Sequence, residues 1–123
     1  MAGKLLIVDD EEDLAQALKD YFEMKGFAVT VIVKGEEALA WLKQESPEVV
    51  LLDVLLKGKM NGIDVLRQIR AESPRLKIIM LTGSDIKTYE KEAGDLGVSR
   101  YIRKPITVSR LYENIKEVLA EKP

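Results

Sequence analysis

Val49-Val50-Leu51-Leu52-Asp53 sets four apolar residues directly against one carboxylate. A run without polar alternation reads as a strand buried on both faces, as in a parallel sheet sandwiched between helices. Asp53 then stands at the strand's carboxyl end, the edge at which open α/β sheets bind ligands. The position also suits a helix cap or a turn, and this stretch alone does not separate the readings.

On the N-terminal side, Lys4-Leu5-Leu6-Ile7-Val8 is a second apolar run, and it too ends in acid, at Asp9-Asp10-Glu11-Glu12-Asp13. Leu14, Leu18, Tyr21 and Phe22 follow at helical spacing, and Gly26 stops that helix. Acids in its first turn complement the helix dipole, so the cluster has a structural explanation of its own. Phe27 to Val33 is rich in β-branched residues and predicts a strand, followed by a short helix from Glu36 to Gln44 that Ser46-Pro47 ends. Beyond Asp53, the polar loop Lys57-Gly58-Lys59-Met60-Asn61-Gly62 leads to a helix carrying Ile63, Val65, Leu66 and Ile69. Lys77 to Leu81 is a fourth strand that exits at Thr82-Gly83-Ser84. The helix from Asp85 to Leu96 has only Ile86, Tyr89, Ala93 and Leu96 for an apolar stripe, and Gly94 weakens it further. It is the element best suited to move. Val98 to Arg103 predicts a fifth, edge strand ending at Lys104-Pro105, and a last helix runs from Val108 to Ala120 with Thr107 as N-cap.

The bulk numbers set limits on function. A chain of 123 residues with 46% apolar content suits one domain with one core. With 19 basic against 21 acidic residues, the net charge of −2 supplies no field for direct nucleic-acid binding. Apolar runs are strand-sized and the N-terminus has no signal-peptide character, which points to a cytoplasmic protein without a membrane span. The sequence has no cysteine and no histidine. Thiolate chemistry, histidine-based triads and a phosphohistidine role are therefore excluded.

Five strands alternating with five helices imply a parallel sheet with right-handed crossovers, so every strand exit lies on one edge. Asp9-Asp10, Asp53, Thr82 and Lys104 then converge although they are distant in sequence. Three neighbouring carboxylates stay ionised most readily around a hard cation with oxygen ligands, and Mg²⁺ fits best. A lysine and a threonine hydroxyl suit the oxygens of a transferring phosphoryl group. Asp53, held at the centre by its strand, is placed to act as nucleophile and form an acyl phosphate.

These residues resemble the receiver domain of two-component response regulators, from Lys4 to about Ala120. The likeness rests on Leu6-Ile7-Val8-Asp9-Asp10-Glu11, Val50-Leu51-Leu52-Asp53, Met80-Leu81-Thr82-Gly83 and Tyr101-Ile102-Arg103-Lys104-Pro105, in order and at closely similar spacings. The resemblance implies a flavodoxin-like sheet of order 2-1-3-4-5 flanked by five helices, a fold for which receivers are a standard example. It implies that Asp53 is the phosphoacceptor and that Asp9 and Asp10 hold Mg²⁺ with Asp53 and the Leu55 carbonyl. Thr82 resembles the switch hydroxyl, Lys104 the lysine that pairs with the phosphoryl group, and Tyr101 the switch aromatic. Pro105 matches a proline that follows a cis peptide bond in the family. The implied donor is a sensor histidine kinase or phosphotransfer protein. The implied recipient of the signal is an output protein or domain, and dimerisation on phosphorylation is one route to it.

Two positions depart from the family. The loop from Leu56 to Gly62 lacks the usual proline and is one residue longer. Leu55 and Ser84, two residues past Asp53 and Thr82, flank the path of an attacking water, and the bulk of Leu55 predicts slow loss of the phosphoryl group. Two other functions fit parts of the pattern: a Mg²⁺-dependent phosphohydrolase acting on small phosphate esters, and an unphosphorylated binding module. Turnover of a phosphate ester distinguishes the first. The complete set of acids, hydroxyl and lysine argues against the second. The sequence suits either a stand-alone receiver or part of a longer regulator.

Overall fold

A computed structural model of the chain describes residues 3–83 and 86–121. Its elements are β1 (Lys4–Val8), α1 (Glu12–Met24), β2 (Ala28–Ile32), α2 (Gly35–Leu42) and β3 (Val49–Asp53), then α3 (Gly62–Glu72), β4 (Lys77–Thr82), α4 (Lys87–Asp95), β5 (Arg100–Arg103) and α5 (Val108–Ala120). The five strands form one sheet of order β2-β1-β3-β4-β5. Every pairing is parallel. Crossover helices make this possible, and they cover both faces of the sheet.

Side-chain alternation divides the core into two layers. Leu5, Ile7, Leu51, Ile79 and Leu81 face one way and pack with Leu18 and Phe22 of α1 and Leu111 and Ile115 of α5. Leu6, Val8, Val50, Leu52 and Met80 face the other way, against α2, α3 and α4. All five residues of β3 are buried, which is why its sequence shows no alternation.

The predicted strand starts at Phe27 and Val98 are too early, and both have the same cause. Gly26 (φ 97°) and Gly97 (φ 73°) end α1 and α4 in the left-handed conformation. The next residue in each case turns its N–H back onto the helix, Phe27 to the Phe22 carbonyl (3.1 Å) and Val98 to the Ala93 carbonyl (3.2 Å). This is the Schellman closure, and it commits the first apolar residue to the helix end before the ladder begins. On α4, Ala93 is buried and Tyr89 and Leu96 are partly buried against the core, but Ile86 is not part of the stripe: it precedes the helix and is 48% exposed. Ser84 and Asp85 lie outside the described residues.

Candidate functional site

Strand pairing sets the depth at which each functional side chain sits. Asp53 pairs with Leu81, so β4 runs one residue further to Thr82, which pairs with Arg103. Lys104 follows directly, its N–H donating to the Thr82 carbonyl at 2.8 Å. On the other side of β3, Val8 is opposite Leu52, which brings Asp9 beside Asp53. The exits of β1, β3, β4 and β5 thus meet on one edge, as the alternation of elements requires.

Asp9, Asp53 and Thr82 are buried, at 2%, 4% and 0% exposure. Asp10 is half-buried, and one carboxylate oxygen from each of Asp9, Asp10 and Asp53 lies within 4.8 Å of the others. Lys104 Nζ projects into this group, 3.2 Å from Asp53 Oδ2 and 3.4 Å from Asp9 Oδ2. Lys104 also lines an apolar hollow of about 200 Å³ with Leu14, Leu81 and Ile106. The Lys104–Pro105 peptide is cis.

Burial pushes the Asp53 carboxyl up to about 6, with Lys104 pulling it down and Asp9 pushing it up. A carboxylate so placed gains from any further cation, and three all-oxygen donors from Asp9, Asp10 and Asp53 match a hard divalent ion. The Lys104 ammonium is itself half-desolvated, which disfavours its charge, but Glu11, Asp53 and Asp9 more than offset this and hold its pKa above the usual lysine value. The Tyr101 hydroxyl is buried close to the Thr82 side chain; burial raises its pKa and the Thr82 contact partly lowers it.

The loop after Asp53 has a defined course. The Leu55 N–H donates to Asp53 Oδ1 at 3.1 Å, while the Leu55 side chain is 47% exposed. Leu56 turns inward, and the Lys57 N–H donates to Asp10 Oδ2 at 2.8 Å. The start of this loop is therefore tied to the acidic group, and Gly58 takes up the turn with φ 100°. Asn61 and Asp64 close the loop by reciprocal side-chain bonds to each other's N–H, a capping box that starts α3.

Two residues at the site escaped the sequence reading. Glu11 Oε1 lies 2.8 Å from Lys104 Nζ. Its signal was its place beside Asp9-Asp10, but a first-turn explanation was available for the whole acidic run. The second is Gly62, whose N–H donates to the Val54 carbonyl at 2.7 Å. A Cβ there would meet the Asp53 carbonyl oxygen at 2.0 Å, so only glycine lets α3 begin against the back of the Asp53 peptide.

The sequence model of the response regulator receiver domain matches residues 5–116. The chain belongs to this family. It is 36% identical over 120 residues to the alkaline phosphatase synthesis transcriptional regulatory protein PhoP of Bacillus subtilis, covering 97% of this chain and 49% of that protein. It is 38% identical to the sensory transduction protein RegX3 of Mycolicibacterium smegmatis, over 94% of this chain and 50% of RegX3. The receiver thus spans about half the length of these curated relatives. A CheY-like receiver domain protein from Methanospirillum hungatei superposes with a TM-score of 0.92 at 30% identity, covering 97% of this chain and 94% of that one. Among the described residues of this receiver, no helix is long and apolar enough to cross a membrane.

Proposed function

We propose that this receiver is a phosphorylation-activated signalling switch that accepts a phosphoryl group on Asp53 from a histidine kinase or phosphotransfer protein. The observation that carries the reading is the placement of a buried Asp53 carboxylate between Lys104, at 3.2 Å, and the acidic pair Asp9 and Asp10. Mg²⁺, held by Asp9, Asp10, Asp53 and the Leu55 carbonyl, would supply neutralisation of phosphoryl charge that one lysine cannot provide.

In the transfer, an Asp53 oxygen attacks phosphorus in line and the bond from phosphorus to the donor's leaving atom breaks. Lys104 keeps its proton and directs an N–H to a phosphoryl oxygen. The product adds negative charge and acceptor oxygens beside Thr82, whose hydroxyl is drawn toward them. Tyr101, already packed inward near Thr82, follows that movement and changes the surface formed by α4, β5 and α5. An output protein or domain reads the altered surface, directly or through a dimer formed on phosphorylation. The exposed apolar Leu55 side chain shields the acyl phosphate from water and slows its loss.

Incubation with Mg²⁺ and acetyl phosphate, followed by intact mass, tests this reading. Wild type gains one phosphoryl group per chain and stops there, and Asp53→Asn gains none. After the donor is removed, Leu55→Asn loses the group faster than wild type. A wild type that stays unlabelled, or one that turns over a generic phosphate ester, would overturn the assignment.

A further inference from the structure

We propose that Glu11 is a positioning residue that holds the Lys104 ammonium in the resting domain and competes with an incoming phosphoryl group for it. This rests on the reading of Asp53 as phosphoacceptor.

Of the three carboxylates on Lys104 Nζ, Glu11 is nearest, at 2.8 Å, against 3.2 Å for Asp53 and 3.4 Å for Asp9. An ammonium has three N–H donors and no acceptor, so three carboxylates engage its full capacity. Glu11 is well placed to reach it. Its backbone is extended at the N-cap of α1, its side chain makes no capping bond, and its own N–H is anchored on Asp9 Oδ1 at 2.9 Å.

Serving a phosphoryl oxygen requires Lys104 to give up one of these partners. The Asp9 and Asp53 side chains are 2% and 4% exposed, so either loses its partner in a poorly solvated place. The Glu11 side chain is 59% exposed, and water replaces the ammonium there at little cost. Glu11 is therefore the contact that opens. During transfer the bond to phosphorus forms at Asp53 and the donor's bond breaks, while the Lys104 N–H moves from the Glu11 carboxylate to a phosphoryl oxygen without proton transfer. Glu11 is thus a brake on phosphorylation that acts through Lys104.

The test compares wild type, Glu11→Gln and Glu12→Gln. Glu12→Gln makes the same charge change one residue away, at an exposed helix position in the first turn of α1. With acetyl phosphate and Mg²⁺, Glu11→Gln is expected to gain its phosphoryl group about three- to fivefold faster than wild type. Glu12→Gln stays at the wild-type rate. In the absence of any donor, the ¹⁵N-lysine ammonium signal assigned to Lys104 shifts in Glu11→Gln and not in Glu12→Gln, a change that a merely structural role for Glu11 would not produce. An unchanged or slower Glu11→Gln overturns the proposal, as does an equal gain in Glu12→Gln, which would make the effect a general field. If wild type itself takes no phosphoryl group, the phosphoacceptor reading fails first and this inference with it. If wild type is labelled on Asp53 and the Lys104 signal ignores Glu11, only the inference fails.

Discussion

Helices α3 and α4 cover the same sheet face, one following the strand of Asp53 and the other the strand of Thr82, yet they are held in different ways. Helix α3 begins with a capping box and buries Gly62, Ile63, Val65, Leu66 and Ile69. Helix α4 has no side-chain cap and buries Ala93 alone. Tyr89 and Leu96 pack only partly against the core, and polar ties add to this at the C-terminal end: Arg67 bonds Glu92 at 2.7 Å, and Arg70 donates to the Leu96 and Gly97 carbonyls at 2.6 and 3.0 Å. Burial lowers the pKa of Arg70, and the three carbonyls it serves, Ser73 included, keep it satisfied. The contrast assigns different work to the two sides of the site. Asp53 is seated on a packed element, while the helix after Thr82 buries little of its own surface and is the element better able to yield.

The strongest way to break this comparison is Gly62→Ala. The added Cβ would overlap the Asp53 carbonyl, so relief requires the start of α3 or the Asp53 peptide to move. We expect a loss of about 3 kcal/mol in urea unfolding, at the upper end for overpacking, together with slower phosphorylation. A near-neutral result would mean that the Asp53 side is as compliant as the Thr82 side.

A comparable effect follows from pH. Because the folded Asp53 carboxyl sits at about 6 against 3.8 when unperturbed, the metal-free folded state retains a proton that the unfolded chain releases. Stability therefore falls as pH rises from about 4 to about 6, by on the order of 3 kcal/mol, and the cost is fully present above that interval. Denaturation of wild type and Asp53→Asn across this range in chelator checks it, since the mutant lacks this component of the slope. If the acidic group holds Mg²⁺ as proposed, adding the ion should favour the ionised carboxylate and lower its NMR titration midpoint.

The smallest effect sharpens the loose side. No atom stands within 4 Å of a Cβ at Gly94, so Gly94→Ala adds helix propensity without a clash. It should stabilise the domain by up to about 1 kcal/mol and slow amide exchange over residues 87–95. If the α4 amides of wild type already exchange as slowly as those of α3, the contrast is wrong.

How much of this could be read in advance depended on the kind of information each residue carries. The β1, β3 and β4 strands were legible because burial on two faces leaves an unbroken apolar run, and α5 because its stripe and the Thr107 cap are local. Phe27 and Val98 were misplaced because their composition is that of a strand, whereas the bond each makes is with a helix carbonyl five residues back. The convergence of Asp9, Asp10, Asp53, Thr82 and Lys104 followed from parallel topology. The Glu11–Lys104 contact did not, since it joins residues 93 apart through side-chain reach and no periodicity records it. Gly62 carried its meaning in a missing Cβ, which only the neighbouring Asp53 carbonyl makes visible.

The staggered strand ends also explain which changes of length this receiver can absorb. Asp53, Thr82 and Lys104 are placed by counting residues along paired strands, each exit one step beyond the last. A residue added between Leu56 and Gly62 would lengthen a loop outside that count and leave Asp53 in register. A residue added between Val49 and Leu52 would turn Asp53 to the opposite face of the sheet, away from every group that gives it chemistry. Insertions and deletions should therefore be tolerated in the connections and be damaging within the strands.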